Sequence, residues 1–167
     1  MNDKIIIYTD GSCTVKGNDG GFGAAIYFDN KVKEIWGGEK NTTNNRMELT
    51  AVIKALNSLL NCHQIKLYTD SDYVLKGFTT YLPKWKANDW KIANKNTPVK
   101  NIDLWQELDH IAKRHTIEWL KVKAHSGDIG NTLADALADL GRQSLDQYSK
   151  VGTTFSRIVT LGEQNGQ

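Results

Sequence analysis

Two stretches of this sequence repeat one another. Ile7-Tyr8-Thr9-Asp10-Gly11-Ser12 and Leu67-Tyr68-Thr69-Asp70-Ser71-Asp72 are both apolar, β-prone runs ending in Tyr-Thr-Asp, with a serine within two residues. Ligands of open α/β sheets bind beyond the carboxyl ends of the strands. If the two runs are parallel neighbours, Asp10 and Asp70 emerge side by side. Two carboxylates that close repel one another unless a proton or a cation is shared. The plainer alternative is that each aspartate caps the turn or helix that follows it. The matched pair favours a site.

Glu48 adds a third acidic group. In a helix starting near residue 44, Val52, Ala55, Leu56 and Leu59 follow Glu48 at spacings that cluster within roughly 80° of it, at about 100° per residue. Glu48 therefore falls inside the apolar stripe that must face the sheet, where an unpaired carboxylate is costly. It either completes a capping box in its own first turn or reaches toward the strand ends. His125 follows the last strand and faces the same rim. Asp135 falls off the Leu133, Leu137, Leu140 stripe and taken alone reads as solvated. Charge is also unevenly placed. The chain carries +2 overall, but residues 84–100 hold five lysines and one aspartate, net +4, which leaves −2 elsewhere. Trp85 and Trp90 are interleaved with those lysines. Lysines neutralise phosphates and flat aromatics stack on bases or sugars, so this segment reads as a nucleic-acid contact. The alternative is a solvated loop anchored by its tryptophans.

The elements that must position these groups can be read coarsely. Strands are expected at 4–9, 22–29, 32–38, 64–69 and 116–121, with a hairpin turn at Asp29-Asn30. Helices are expected at 44–60, 71–80, 101–113 and 131–143. Residues 83–100 show no clean period. The order β-β-β-α-β-α-α-β-α implies an antiparallel three-strand meander followed by parallel strands, in one mixed sheet flanked by helices. Residues 144–167 are polar and weakly patterned, and are read as an accessory tail with disorder as the expectation. The length of 167 residues and the 40% hydrophobic content suit one compact domain. Cys13 and Cys62 sit in no metal-ligand spacing and read as free thiols of a reducing compartment. The short apolar run at Ile5–Ile7 is too brief for a signal peptide, and no stretch could span a membrane, so a cytoplasmic, soluble protein is expected.

Together these residues resemble ribonuclease H type 1, the bacterial ribonuclease HI family. The resemblance rests on Tyr-Thr-Asp-Gly-Ser-Cys (8–13), Thr-Thr-Asn-Asn-Arg-Met-Glu-Leu (42–49), Tyr-Thr-Asp-Ser (68–71), the Trp/Lys segment running into Pro98–Trp105, and His125 with Asp135 ten residues on. It covers about residues 4–142. It implies an α/β, ribonuclease H-like fold with a five-stranded mixed sheet, a catalytic domain at 1–143 that includes a basic protrusion at 82–100, and a monomer. The implied activity is endonucleolytic hydrolysis of the RNA strand of RNA–DNA hybrids, with little sequence specificity and with 5′-phosphate and 3′-hydroxyl ends.

The resemblance also assigns roles. Asp10, Glu48, Asp70 and Asp135 match the metal-binding carboxylates, and His125 a loop histidine that assists turnover by proton transfer or product release. Cys13, Asn44 and Asn45 match minor-groove contacts, and Lys16 supplies a charge where relatives often carry an asparagine-containing turn. Thr43 and Asn101 match a pocket gripping a phosphate of the DNA strand. Trp85, Lys86, Trp90 and Lys91 belong to the protrusion that binds the DNA strand. Hard oxygen ligands suit Mg²⁺, with Mn²⁺ as a substitute. Two such ions roughly 4 Å apart serve in-line phosphodiester hydrolysis. The chain departs from the common pattern at residues 15–19, Asn41, Ala124 and Thr132.

Rival readings fare worse. An aspartyl-phosphate phosphatase needs an aspartate nucleophile two residues before its second aspartate, and that position here is Tyr8. An integrase or resolvase relative should lack the 42–49 signature and the Trp/Lys segment. A hybrid-binding module without catalysis would gain nothing from four clustered negative charges, which repel a polyanion unless metals are present.

Overall fold

The structure is a computed structural model, and it describes residues 4–124, 126–147 and 153–162. Among the described residues, six strands form one sheet in the order β5-β4-β1-β2-β3-β6. They are β1 Ile5–Cys13, β2 Gly20–Phe28, β3 Lys31–Glu39, β4 Gln64–Thr69, β5 Thr116–Lys121 and β6 Thr154–Thr160. β1, β2 and β3 pair antiparallel in sequence, while β4 and β5 add parallel to β1's other side. The meander and the parallel strands are those expected from sequence. Asp29 and Asn30 both take positive φ, at 44° and 58°, as a tight two-residue hairpin requires.

The sixth strand corrects the expected five and the reading of 144–167 as a tail. α5 (Ile129–Gln147) continues past residue 143, and β6 pairs antiparallel with β3. Phe155 stacks on Trp36 at 5.8 Å, the Arg157 guanidinium lies 5.5 Å from the Trp36 ring, and Arg157 pairs with the buried Glu34. Residues 148–152 and 163–167 lie outside the described residues.

The helices lie on both faces. α1 (Asn44–Asn57) buries Met47 through Ile53, Ala55 and Leu56. It is buried over most of its circumference because it lies between the sheet and α4 (Ile102–Ala112), whose Trp105 and Leu108 are fully buried. Fully burying such side chains contributes about 1.5–3 kcal/mol each. α2 (Asp72–Lys76) runs through a wider π-helical turn, Gly77–Tyr81, into α3 (Leu82–Ala87), which starts the basic segment.

α5 covers the opposite face at backbone contact. A Cβ on Gly21 would lie 2.0 Å from the Ala138 carbonyl oxygen, and one on Gly23 would lie 2.5 Å from that of Ala134. Only glycine in the sheet admits a helix that close. The α5 face on the sheet is therefore centred on Ala134, Ala138 and Gly141, with Leu137 and Asn131 also buried. The Leu133-Leu137-Leu140 stripe forms only the edge of that face: Leu137 is buried against Ala25 and Val32, whereas Leu140 is 40% exposed.

Candidate active site

The strand register builds the site. β1 and β4 pair in parallel up to Thr9↔Thr69, and both threonines are fully buried. The next residues, Asp10 and Asp70, leave that last rung together. β1 itself continues, so Asp10 lies within a strand and opposite Gly23 of β2, rather than after the strand end. Lys121, at the end of β5, donates to the Asp70 carbonyl (2.7 Å) and to Asp72 Oδ1 (2.9 Å), tying the β4 end to β5.

Glu48 arrives from α1. Thr43 is the N-cap, its hydroxyl accepting from the Arg46 amide at 3.2 Å. Glu48 thus lies beyond the first turn and completes no capping box, which leaves the reach toward the strand ends. The approach depends on Gly11, where a Cβ would lie 2.4 Å from the Glu48 nitrogen. Asp10, Glu48 and Asp70 each offer a carboxylate oxygen within 4.8 Å of the others.

The electrostatics are those of buried carboxylates held close together. Burial, then Asp70, pushes the Asp10 carboxyl up to about 7. Burial, then Asp10 and Asp70, pushes Glu48 well above the usual carboxylate range. The Gly11 amide donates to Asp10 Oδ1 at 2.9 Å, but Glu48 Oε2 is buried with no hydrogen-bond partner among the described residues. A hard divalent cation fits this donor set, because it supplies the missing positive charge to oxygens already held together.

Asp135 stands beside the trio. It is half-buried on α5 and within hydrogen-bonding reach of Asp10. It does not point away from the sheet, as the leucine stripe suggested, since the helix face in contact is the alanine one. His125 lies outside the described residues.

The expected substrate contacts divide into groups. Asn44 and Asn45 are exposed on the first turn of α1; Lys16 is exposed in the β1–β2 turn; Cys13 is half-buried, with its thiol toward the Thr14 and Thr42 carbonyls. Thr43 and Asn101 are joined through Arg46, whose guanidinium donates to Asn101 Oδ1 (3.3 Å) and to Asp103 (2.8 Å). Asn101, left-handed at φ 59°, donates to the Tyr73 hydroxyl at 2.9 Å. Sequence reasoning singled out neither Arg46 nor Tyr73; Arg46 was within reach, standing inside the 42–49 motif.

In the basic segment Trp85 and Trp90 pack against the core, as the anchoring alternative held. Trp85 also lines a cavity of ≈ 510 Å³ with Tyr73, Tyr81, Val99, Lys84 and Lys91. Lys86 is paired with Asp109 at 3.2 Å and Lys91 with Asp89 at 3.8 Å. No helix among the described residues is long and apolar enough to cross a membrane.

Comparisons with known proteins agree with this geometry. Residues 2–143 match the family model described as RNase H. A "Ribonuclease H" of Ehrlichia ruminantium is 54% identical over 136 residues, covering 81% of this chain and 92% of that protein. A "Ribonuclease HI" of Pseudomonas aeruginosa is 51% identical over 143 residues, covering 84% and 96%. Among solved structures, LC9-RNase H1, a type 1 RNase H with the type 2 active-site motif, superposes with a TM-score of 0.79 at 28% identity, covering 86% of this chain and 74% of that one. A foamy viral protease-reverse transcriptase in complex with RNA/DNA hybrid superposes at 0.67 and 25% identity, covering 84% of this chain and 20% of that one. With a matching family model over most of its length and relatives above half identity, the chain belongs to the ribonuclease H family, as an enzyme of the bacterial ribonuclease HI type that degrades the RNA of RNA–DNA hybrids.

Proposed function

We propose that the chain cuts the RNA strand with two divalent metal ions, Mg²⁺ or Mn²⁺, held by Asp10, Glu48, Asp70 and Asp135. The observation that carries this reading is the convergence of Asp10, Glu48 and Asp70 within 4.8 Å, two of them buried, with Asp135 in reach of Asp10. Bound there, such ions would acidify a water and offset charge at the scissile phosphate and the leaving 3′-oxygen.

The chain's own residues do the remainder. The carboxylates fix the reacting phosphate's position by what they hold. Thr43 and Asn101 grip a DNA phosphate, with Arg46 aligning Asn101. Asn44, Asn45, Cys13 and Lys16 face the minor groove, where 2′-hydroxyls mark the RNA strand. Trp85, Lys86, Trp90 and Lys91 take the DNA strand. Water adds to phosphorus, the P–O3′ bond breaks, and the ends are a 5′-phosphate and a 3′-hydroxyl, with His125 serving proton transfer or product release. Contacts to sugar and phosphate carry little sequence preference. The catalytic unit includes residues 1–143 and works as a monomer in the cytoplasm.

The test is incubation of a labelled hybrid with Mg²⁺ or with chelator, followed by mapping of the product ends. RNA cut only with metal, leaving 5′-phosphates, supports the reading. A hybrid bound tightly yet left intact would mean a binding module instead.

A further inference from the structure

Two of the contacts between β1 and α5 bear on the site. One is Asp10 with Asp135, inside the site. The other lies two residues back on the strand and five residues back on the helix, at Tyr8 and Gly130. A Cβ on Gly130 would fall 2.3 Å from two Tyr8 ring carbons and 2.6 Å from a third, so the ring lies directly on the helix backbone. Two residues of strand span about 6.6 Å and five residues of helix about 7.5 Å, so the two contacts are successive rungs of one aligned pair. What sets the first rung sets the second.

The Tyr8 rung is firmly built. Its ring stacks on Tyr68 at 4.8 Å with an interplanar angle of 10°, and Tyr27 meets it edge-on at 6.0 Å. Its hydroxyl lies within hydrogen-bonding reach of Asp128. Asp128 in turn caps the first turn of α5: its Oδ1 accepts from the Asn131 amide (3.1 Å) and its carbonyl from the Thr132 amide (2.9 Å) and hydroxyl (2.8 Å). Tyr8 thus touches α5 at its cap and at its backbone.

We propose that Tyr8 is a positioning residue for Asp135, fixing the axial seat of α5 through Gly130 so that the Asp135 carboxylate meets Asp10. The proposal rests on the reading of Asp135 as a metal ligand. Ångström-scale displacement of a ligating group, or loss of the residue that orients it, costs metal affinity by factors of ten or more.

The test is calorimetric binding of Mn²⁺ to the full chain without hybrid, for the parent, Asp135→Asn, Tyr8→Ala, Tyr8→Phe and Gly130→Ala. Tyr8→Ala removes the ring, and Gly130→Ala pushes a methyl into it. Both should weaken Mn²⁺ roughly tenfold at unchanged stoichiometry, in the same direction as Asp135→Asn, while KM for hybrid at saturating metal stays put. Tyr8→Phe keeps the ring and should stay within about threefold of the parent. A ring that only stabilises the fold would lower the number of binding sites and leave their affinity alone. Unchanged affinity in Gly130→Ala, or in folded Tyr8→Ala, overturns the proposal. If the parent binds no Mn²⁺, or Asp135→Asn binds it as tightly as the parent, the metal-site reading itself has failed.

Discussion

Asp10 shows at the scale of one residue what the site costs when it holds no cation. Its carboxyl titrates near 7 in the folded protein, against an ordinary value of 3.8. A carboxyl raised on folding stabilises the fold while protonated. That contribution is full below the ordinary value and is lost as pH rises through about 7. The metal-free protein should therefore lose stability between about pH 4 and pH 7, on the order of a few kcal/mol. Asp10→Asn removes that charge, so without metal it should melt above the parent at pH 7.5, with the gap closing toward pH 4. Thermal melts in chelator at both pH values check this. Asp10 and Asp70 were legible because two apolar runs close on the same tripeptide, and Glu48 because an acid inside an apolar stripe demands a reason. Asp135 was legible only through the family resemblance, not through its helix pattern. Leucines mark a stripe more loudly than alanines, and only the glycines of β2 reveal that the alanine face touches the sheet.

Among the elements, α5 and β6 carry most of what the sequence concealed. The seat of α5 depends on absent side chains, so Gly21→Ala, whose methyl would meet the Ala138 carbonyl, should destabilise by about 3 kcal/mol or more in chemical denaturation. β6 was read as tail because its seven residues cannot bury a face alone. Its partners lie far back in the chain: Arg157 meets Glu34 across 123 residues. Glu34 is buried and Arg157 half out in solvent, so the pair's value lies in not leaving the carboxylate alone. Arg157→Ala should cost about 1–3 kcal/mol, read as a lowered urea midpoint. The helix and strand periods elsewhere were legible to within a few residues, since α1, α4 and the first five strands each carry their own pattern.

Over the whole molecule, charge is separated into an acidic site and a basic segment. The lysines of 84–100 offset phosphates, so replacing Lys84, Lys86 or Lys91 by glutamine should weaken hybrid binding and flatten its salt dependence by up to about one unit of slope each. The effect should be greatest for Lys84, which has no aspartate partner among the described residues, since Lys86 and Lys91 each have one. Filter binding over a salt series reads this. The central claim is that the acidic cluster holds divalent metal against the RNA phosphate. The most direct measurement is the rate of RNA-strand cleavage in a hybrid as Mg²⁺ is titrated, for the parent beside Asp10→Asn. Saturable cleavage by the parent is expected, with the variant slower by about a hundredfold or more and still binding hybrid. Cleavage indifferent to Mg²⁺, or a variant as fast as the parent, would contradict it.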